Sequence, residues 1–268
     1  MSPTEILTRA DPPDSTAFPV LVAWDLPRVV HGFTSREGGV SKGTYRSFNL
    51  AEGVSDHPGA VSANWQRWRA MYPRVRVARL EQIHSNRVHL IDAADNHQRR
   101  IGDGMATRVP GIVLAIFTAD CVPVLMLEEQ AGVAGALHAG WRGTLADIAR
   151  EGISAMVALG ACVQKIRVAL GPSIGSCCFE VNTELADRFD LQIPSASKYC
   201  RDGRPGKKYL DLRSILRSQF QATGVCQDSI VDVGPCTRCN SDRFFSRRAA
   251  AGAKTGLQMS FIGFEPEQ

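Results

Sequence analysis

No stretch of this 268-residue sequence approaches the roughly 18 consecutive apolar residues of a membrane-spanning helix, so no membrane partner is expected. No run of Lys or Arg exceeds three residues, and the net charge of +4 is spread along the chain. That excludes a clear nucleic-acid footprint. The N-terminal stretch MSPTEILTRADPPDS lacks both a basic start and an apolar core, so no secretory signal is expected and a cytoplasmic location is. Repeats, low-complexity segments and dividing linkers are absent as well. Residues 1–18, with Asp, Pro and Ser and no periodicity, read as a flexible tail, leaving 19–268 as a single domain.

What is present is ordinary globular material, 44% apolar and 22% charged. Eight cysteines would allow four disulfides, but a chain of this length does not depend on them. The baseline reading of each cysteine is a small buried apolar residue. Short apolar runs at 112–117, 122–127 and 133–137 predict strands buried on both faces. Further strands are predicted at 29–34, 87–91, 165–170, 230–233 and 259–264. Val61, Trp65, Trp68 and Met71 recur at helical spacing behind Asp56 and Pro58. A second helix is predicted to open at Thr144 and stop at Gly160, and a third to run over 211–223 with Gly224 as its stop. The pattern is one mixed α and β domain.

Polar residues sit at the ends of the apolar runs. His138 lies in LHAGWRG, Cys121 in TADCVPV and His84 in EQIHSN. Two imidazoles and a thiolate leave a fourth position open, the pattern of a catalytic zinc site. Spacing alone is weak support, because a lone strand-end histidine is more often simply hydrogen-bonded. Around this trio, Asp120 and Asp103 are candidate proton carriers or ligand orienters, or else ordinary turn carboxylates. Arg36 with Gly38 and Gly39 could hold an anion, although a solvated turn is the plainer reading of SREGG. Arg142 precedes a helix start, where unpaired N–H groups favour anions. Trp141 reads as packing, or as a surface on which a purine could stack.

The blocks HGFTSREGGVSKGTYRSFNLA, EQIHS, DGMATRVPGIVLAIFTADCVPVLM, LHAGWRG, GPSIGSCCFEV and CTRCNSDRFFSRR occur in that order. Together they resemble the signature of the laccase-domain family, also described as multi-copper polyphenol oxidoreductases, peptidoglycan-editing factors and zinc-dependent purine nucleoside phosphorylases. The resemblance implies an α+β fold of four layers, α/β/β/α, with two mixed sheets. It implies a metal held by His84, Cys121 and His138. It implies a cytoplasmic zinc enzyme taking purine nucleoside and phosphate, with phosphorolysis of adenosine, inosine and methylthioadenosine and deamination of adenosine. For that activity the residues themselves offer Arg36, Gly39 and Arg142 as candidate substrate-binding groups and Cys121, Asp120, Arg36 and Asp103 as candidate catalytic groups, with zinc as the cofactor and copper as the alternative metal. One departure is Leu257 in Thr255-Gly256-Leu257, where the family carries arginine.

Three other readings compete. Six histidines without a His-x-His pair are too few for a multicopper oxidase, but a single blue-copper centre needs only the trio and a distant methionine, Met105 or Met126. Cys178-Phe-Glu180 with Cys236-Thr-Arg-Cys239 imitates a zinc deaminase signature, in which Glu180 would shuttle protons. Finally, Cys121 activated by His84 or His138 would serve as the nucleophile of a metal-independent hydrolase, which suits the peptidoglycan-editing label.

Overall fold

The three apolar runs are strands, and alternation along them sets the architecture. Along Ile112–Thr118, Leu114 and Ile116 join a cluster with Leu125, Leu127, Ala134 and Ala136 from the next two strands. Val113 and Ala115, facing the other way, pack with Val61, Trp65 and Trp68. Val124, Met126 and Leu137 turn to a third cluster rich in helical residues. Each run is therefore covered on both sides, which is why it carries almost no polar residues.

The computed structural model describes residues 18–94, 100–194 and 196–266. The first half contains β1 (Val20–Leu21), β2 (Val29–Thr34), α1 (Pro58–Met71), β3 (Arg76–Glu81), β4 (Val88–Leu90), β5 (Arg100–Ile101), β6 (Gly104–Thr107), β7 (Ile112–Thr118) and β8 (Val122–Glu128). Next come β9 (Val133–Ala139), α2 (Trp141–Leu145), α3 (Ile148–Ala158), β10 (Arg167–Leu170), β11 (Glu180–Asn182) and α4 (Thr183–Gln192). The chain closes with β12 (Cys200–Asp202), β13 (Lys207–Leu210), α5 (Leu212–Ala222), β14 (Ile230–Asp232) and β15 (Gln258–Phe264). One six-stranded sheet has the order β1-β2-β15-β7-β3-β5, and the other β14-β10-β8-β9-β6-β4. Both are mixed: β3 runs parallel to β7 and β10 to β14, while β7–β15 and β8–β9 are antiparallel. With α1 outside the first sheet and α3, α4 and α5 outside the second, the protein is the four-layer α/β/β/α fold expected. Each large apolar side chain buried between layers contributes ~1.5–3 kcal/mol.

Several local expectations are corrected. The cap of α1 is His57, whose ring accepts from the Gly59 N–H at 3.1 Å, while Asp56 binds Ser41 and Asn49. The helix expected from Thr144 is two helices. α2 already begins at Trp141, and Asp147, at φ 58°, breaks the run and caps α3 by accepting from the Arg150 N–H. The charged strand β3, the helix α4 and a small sheet, β11-β13-β12, carry too little apolar alternation to be read from sequence. Residues 1–17 of the expected tail lie outside the described residues. Phe18, its last member, is instead buried and stacked on Phe48 at 4.2 Å. No helix among the described residues is long and apolar enough to cross a membrane.

Candidate metal centre

Cys121 is the residue before β8 and His138 the last but one of β9. The β8–β9 register pairs Val122 with Ala139 and Pro123 with His138, so the two candidate ligands are brought together by neighbouring strands. His84 comes from the loop after β3, with a left-handed φ of 63°. One carboxylate explains that conformation. Asp103, fully buried, accepts from the N–H groups of Ile83, His84 and Ser85 at 3.3, 2.9 and 2.6 Å and from Ser85 Oγ at 2.7 Å. Its Oδ1 also lies 2.8 Å from His138 Nδ1. Burial opposes the charge of Asp103, but the hydrogen bonds from His138 and Ser85 override it and lower the group to about 2. Asp103 thus orients two of the three candidate ligands and does not line the cavity, the ligand-orienting reading of the sequence rather than the proton-carrying one.

The ligand atoms of His84, Cys121 and His138 all lie within 4.8 Å of one another. The two imidazoles meet edge to face, centroids 4.7 Å apart. Burial disfavours the Cys121 thiolate, but His138 and His84 more than offset it and lower the thiol to about 6. Burial likewise opposes the His138 imidazolium, yet Cys121 and Asp103 raise it to about 9. The trio is thus a thiolate beside donors that its field favours, the charge state a cation replaces. Asp103 takes Nδ1–H of His138, so the ring offers Nε2 as a ligand. The glycine of LHAGWRG now has a reason. A Cβ on Gly140 would lie 3.0 Å from both Cys121 Sγ and His84 Cδ2. Two imidazoles, one thiolate and an approach left clear by glycine fit a metal held by three protein ligands.

The trio opens on a cavity of about 710 Å³, a size typical of small-molecule sites. The remaining sequence-predicted residues fall around it unevenly. Asp120, at φ 92°, lines the cavity, but its carboxylate is occupied by Thr237 Oγ1 at 2.6 Å and the Arg248 N–H at 2.7 Å. These bonds anchor the strand end next to Cys121. Arg36 does not reach the cavity. Its guanidinium lies over Phe245 and donates to the carbonyls of Arg46 and Ser241. Gly39 is spacing for a close backbone approach, since a Cβ there would lie 2.1 Å from the Ser47 carbonyl oxygen. Arg142 lies over the Trp141 ring at 4.3 Å, and Trp141 itself packs on the helical core. Neither Met105, between the sheets, nor Met126, beneath α3, lines the cavity, so neither supplies the thioether of a blue-copper centre. Glu180 pairs with Arg204 in the small sheet rather than facing a reaction centre, although Cys178, Cys236 and Cys239 do meet.

Sequence reasoning missed the cavity's walls apart from Leu257, which it had noted as a departure from the family. Phe117, Phe179, Arg79, Arg247 and Leu257 line it. Arg79 is paired with Glu52 at 2.9 Å, whereas the Arg247 guanidinium is exposed and has no hydrogen bond or ion pair among the described residues. The signal for Arg247 was its place in FFSRR, within a recognised block. Phe117 and Arg79 carry no local signal, because only strand pairing turns them toward the trio.

The four-layer scaffold and its His-Cys-His cluster are those of a recognised family. The chain belongs to the family described as multi-copper polyphenol oxidoreductase laccase, whose model matches residues 30–265. A purine nucleoside phosphorylase of Mycobacterium tuberculosis is 37% identical over 235 residues, spanning 87% of this chain and 90% of that protein. A protein named adenosine deaminase RL5, from an unknown prokaryotic organism, is 39% identical over 176 residues, 62% of this chain and 67% of its own. Among solved structures, YfiH of Bacillus licheniformis superposes with a TM-score of 0.87 at 30% identity, covering 96% of this chain and 99% of that one. YlmD of Geobacillus stearothermophilus gives 0.85 at 32% identity, covering 92% and 96%.

Proposed function

We propose that this protein is a zinc-dependent purine nucleoside enzyme that phosphorolyses adenosine, inosine and methylthioadenosine and deaminates adenosine. The carrying observation is the convergence of His84, Cys121 and His138 on a cavity of nucleoside size. Relatives named purine nucleoside phosphorylase and adenosine deaminase support the substrate class. Zinc held by three protein ligands supplies a Lewis acid and lowers the pKa of water toward ~7. The chain's own part is positioning. Phe117 and Phe179 offer aromatic faces to a purine, and the free guanidinium of Arg247 replaces Arg36 as the candidate for phosphate. In phosphorolysis a phosphate oxygen bonds to ribose C1′ while the bond to N9 breaks and its electron pair leaves with the base. In deamination water adds at C6 and ammonia departs.

The test is product analysis with adenosine and phosphate. Free adenine, ribose 1-phosphate and inosine are expected, with hypoxanthine from onward phosphorolysis of the inosine, and all should vanish on chelation or in Cys121→Ala and return to the chelated wild type with zinc. Full activity in chelated protein would overturn the zinc reading. One observation favours a second reading: without metal, Cys121 and His138 form a thiolate–imidazolium pair, the arrangement of a cysteine hydrolase. Activity that survives chelation but not alkylation of Cys121 would select it.

A further inference from the structure

A second cluster lies outside this site. The sulfurs of Cys177, Cys178, Cys236 and Cys239 are all within 4.8 Å of one another. Cys239 Sγ stands 3.6 Å from Cys177 Sγ and 3.3 Å from Cys178 Sγ. A disulfide needs ~2.05 Å. Four sulfurs bonded tetrahedrally to zinc at ~2.3 Å are ~3.8 Å apart, and the separations of 3.3 and 3.6 Å, with the rest inside 4.8 Å, are far closer to that than to a disulfide. We propose that Cys177, Cys178, Cys236 and Cys239 bind a second, structural zinc ion that clamps the 171–180 loop to the 234–248 segment.

Two of the four sulfurs already accept hydrogen bonds from outside the cluster. The Gly175 N–H donates to Cys236 Sγ at 3.2 Å, and Arg238 Nη1 donates to Cys178 Sγ at 3.3 Å. Gly175 eases this fit, since a Cβ there would lie a tight 3.3 Å from both Cys177 Sγ and Cys236 Cβ. The Cys236–Cys239 segment is a tight knuckle, with the Asn240 N–H bonded to the Cys236 carbonyl at 3.1 Å. Four thiolates around a divalent ion leave two negative charges, and the Arg238 guanidinium sits against them. Arg213, from α5, donates to carbonyls of Ser173, Gly234 and Pro235 and so braces both halves of the cluster.

Four sulfurs close a tetrahedral shell, so this ion has no open position for substrate. Its effect on the cavity is mechanical. Thr237, inside the Cys236–Cys239 knuckle, holds the carboxylate of Asp120, the neighbour of Cys121. Phe179 and Arg247, on the two clamped segments, are cavity wall.

The test is zinc content of full-length protein purified without chelator. The double variant Cys236→Ser/Cys239→Ser should hold one zinc per chain fewer than wild type, and Cys121→Ala should keep the ion that the double variant loses. Because the double variant could fail to fold, Cys121→Ala is also stripped and titrated with cobalt(II). One equivalent giving the intense sulfur-to-metal charge-transfer band of a tetrathiolate is expected. Unchanged zinc in a folded double variant overturns the proposal. So does Cys121→Ala that holds no zinc and takes up no cobalt, iron in place of zinc, or a thiol count below eight that reveals a disulfide among these four cysteines.

Discussion

Asp103 Oδ1 stands 2.8 Å from His138 Nδ1, both side chains buried, while the same carboxylate gathers the N–H groups of 83–85. One residue therefore sets the ring orientation of one ligand and the backbone of another. Asp103→Asn keeps the shape but replaces an acceptor oxygen by a donor and removes the charge. Metal affinity is expected to fall ~10–100-fold, the range for losing such a partner, as read by competition with a chromogenic chelator. Native-like affinity would show that the ligands hold their geometry without it.

Gly140 is glycine for space rather than conformation, since its φ of −76° suits any residue. In Gly140→Ala the new methyl presses on Cys121 Sγ and His84. The fold should persist, with circular dichroism unchanged, while zinc binding weakens by about tenfold or more. Unaltered affinity would mean that His84 yields freely.

In metal-free protein the Cys121 thiol is held at about 6 by His138 and His84 against the opposing cost of burial. Its alkylation by iodoacetamide, followed by peptide mass spectrometry, should be flat from neutral pH down to about 6 and drop tenfold per pH unit below that, as the thiolate is protonated. An ordinary thiol inflects near ~8.5, and that value at Cys121 would refute the pairing.

Arg36 and Arg247 separate structure from substrate. Arg36 donates to the carbonyls of Arg46 and Ser241, so Arg36→Ala should cost ~1–3 kcal/mol in stability by denaturant titration and leave the KM for phosphate alone. Arg247→Ala should leave the melting temperature unchanged and raise the KM for phosphate by ~10–100-fold, the equivalent of one charged hydrogen bond. Equal phosphate KM values in the two variants would exclude Arg247.

Much of the scaffold was legible along the chain. The apolar runs at β7, β8 and β9 and the amphipathic face of α5 (Ile215, Leu216, Phe220) record burial in residue type, because each strand or helix answers to its own two faces. The three candidate ligands stand in EQIHS, ADC and HAGWRG, but the family resemblance rather than their spacing singled them out, and only the fold brings their ligand atoms within 4.8 Å of one another. What the chain order could not convey is how partners distant in sequence divide the work.

Sequence alone determined which segments are buried and which donors are available, since hydrophobic periodicity and ligand chemistry belong to residues one at a time. Tertiary structure decided that Asp103 is a brace, that Arg36 is bound to backbone while Arg247 faces the cavity, and that four cysteines form a second cluster. Those assignments depend on sheet register and loop crossings, which join groups tens of residues apart and which local pattern hints at, as in Cys236-Thr-Arg-Cys239, but does not decide.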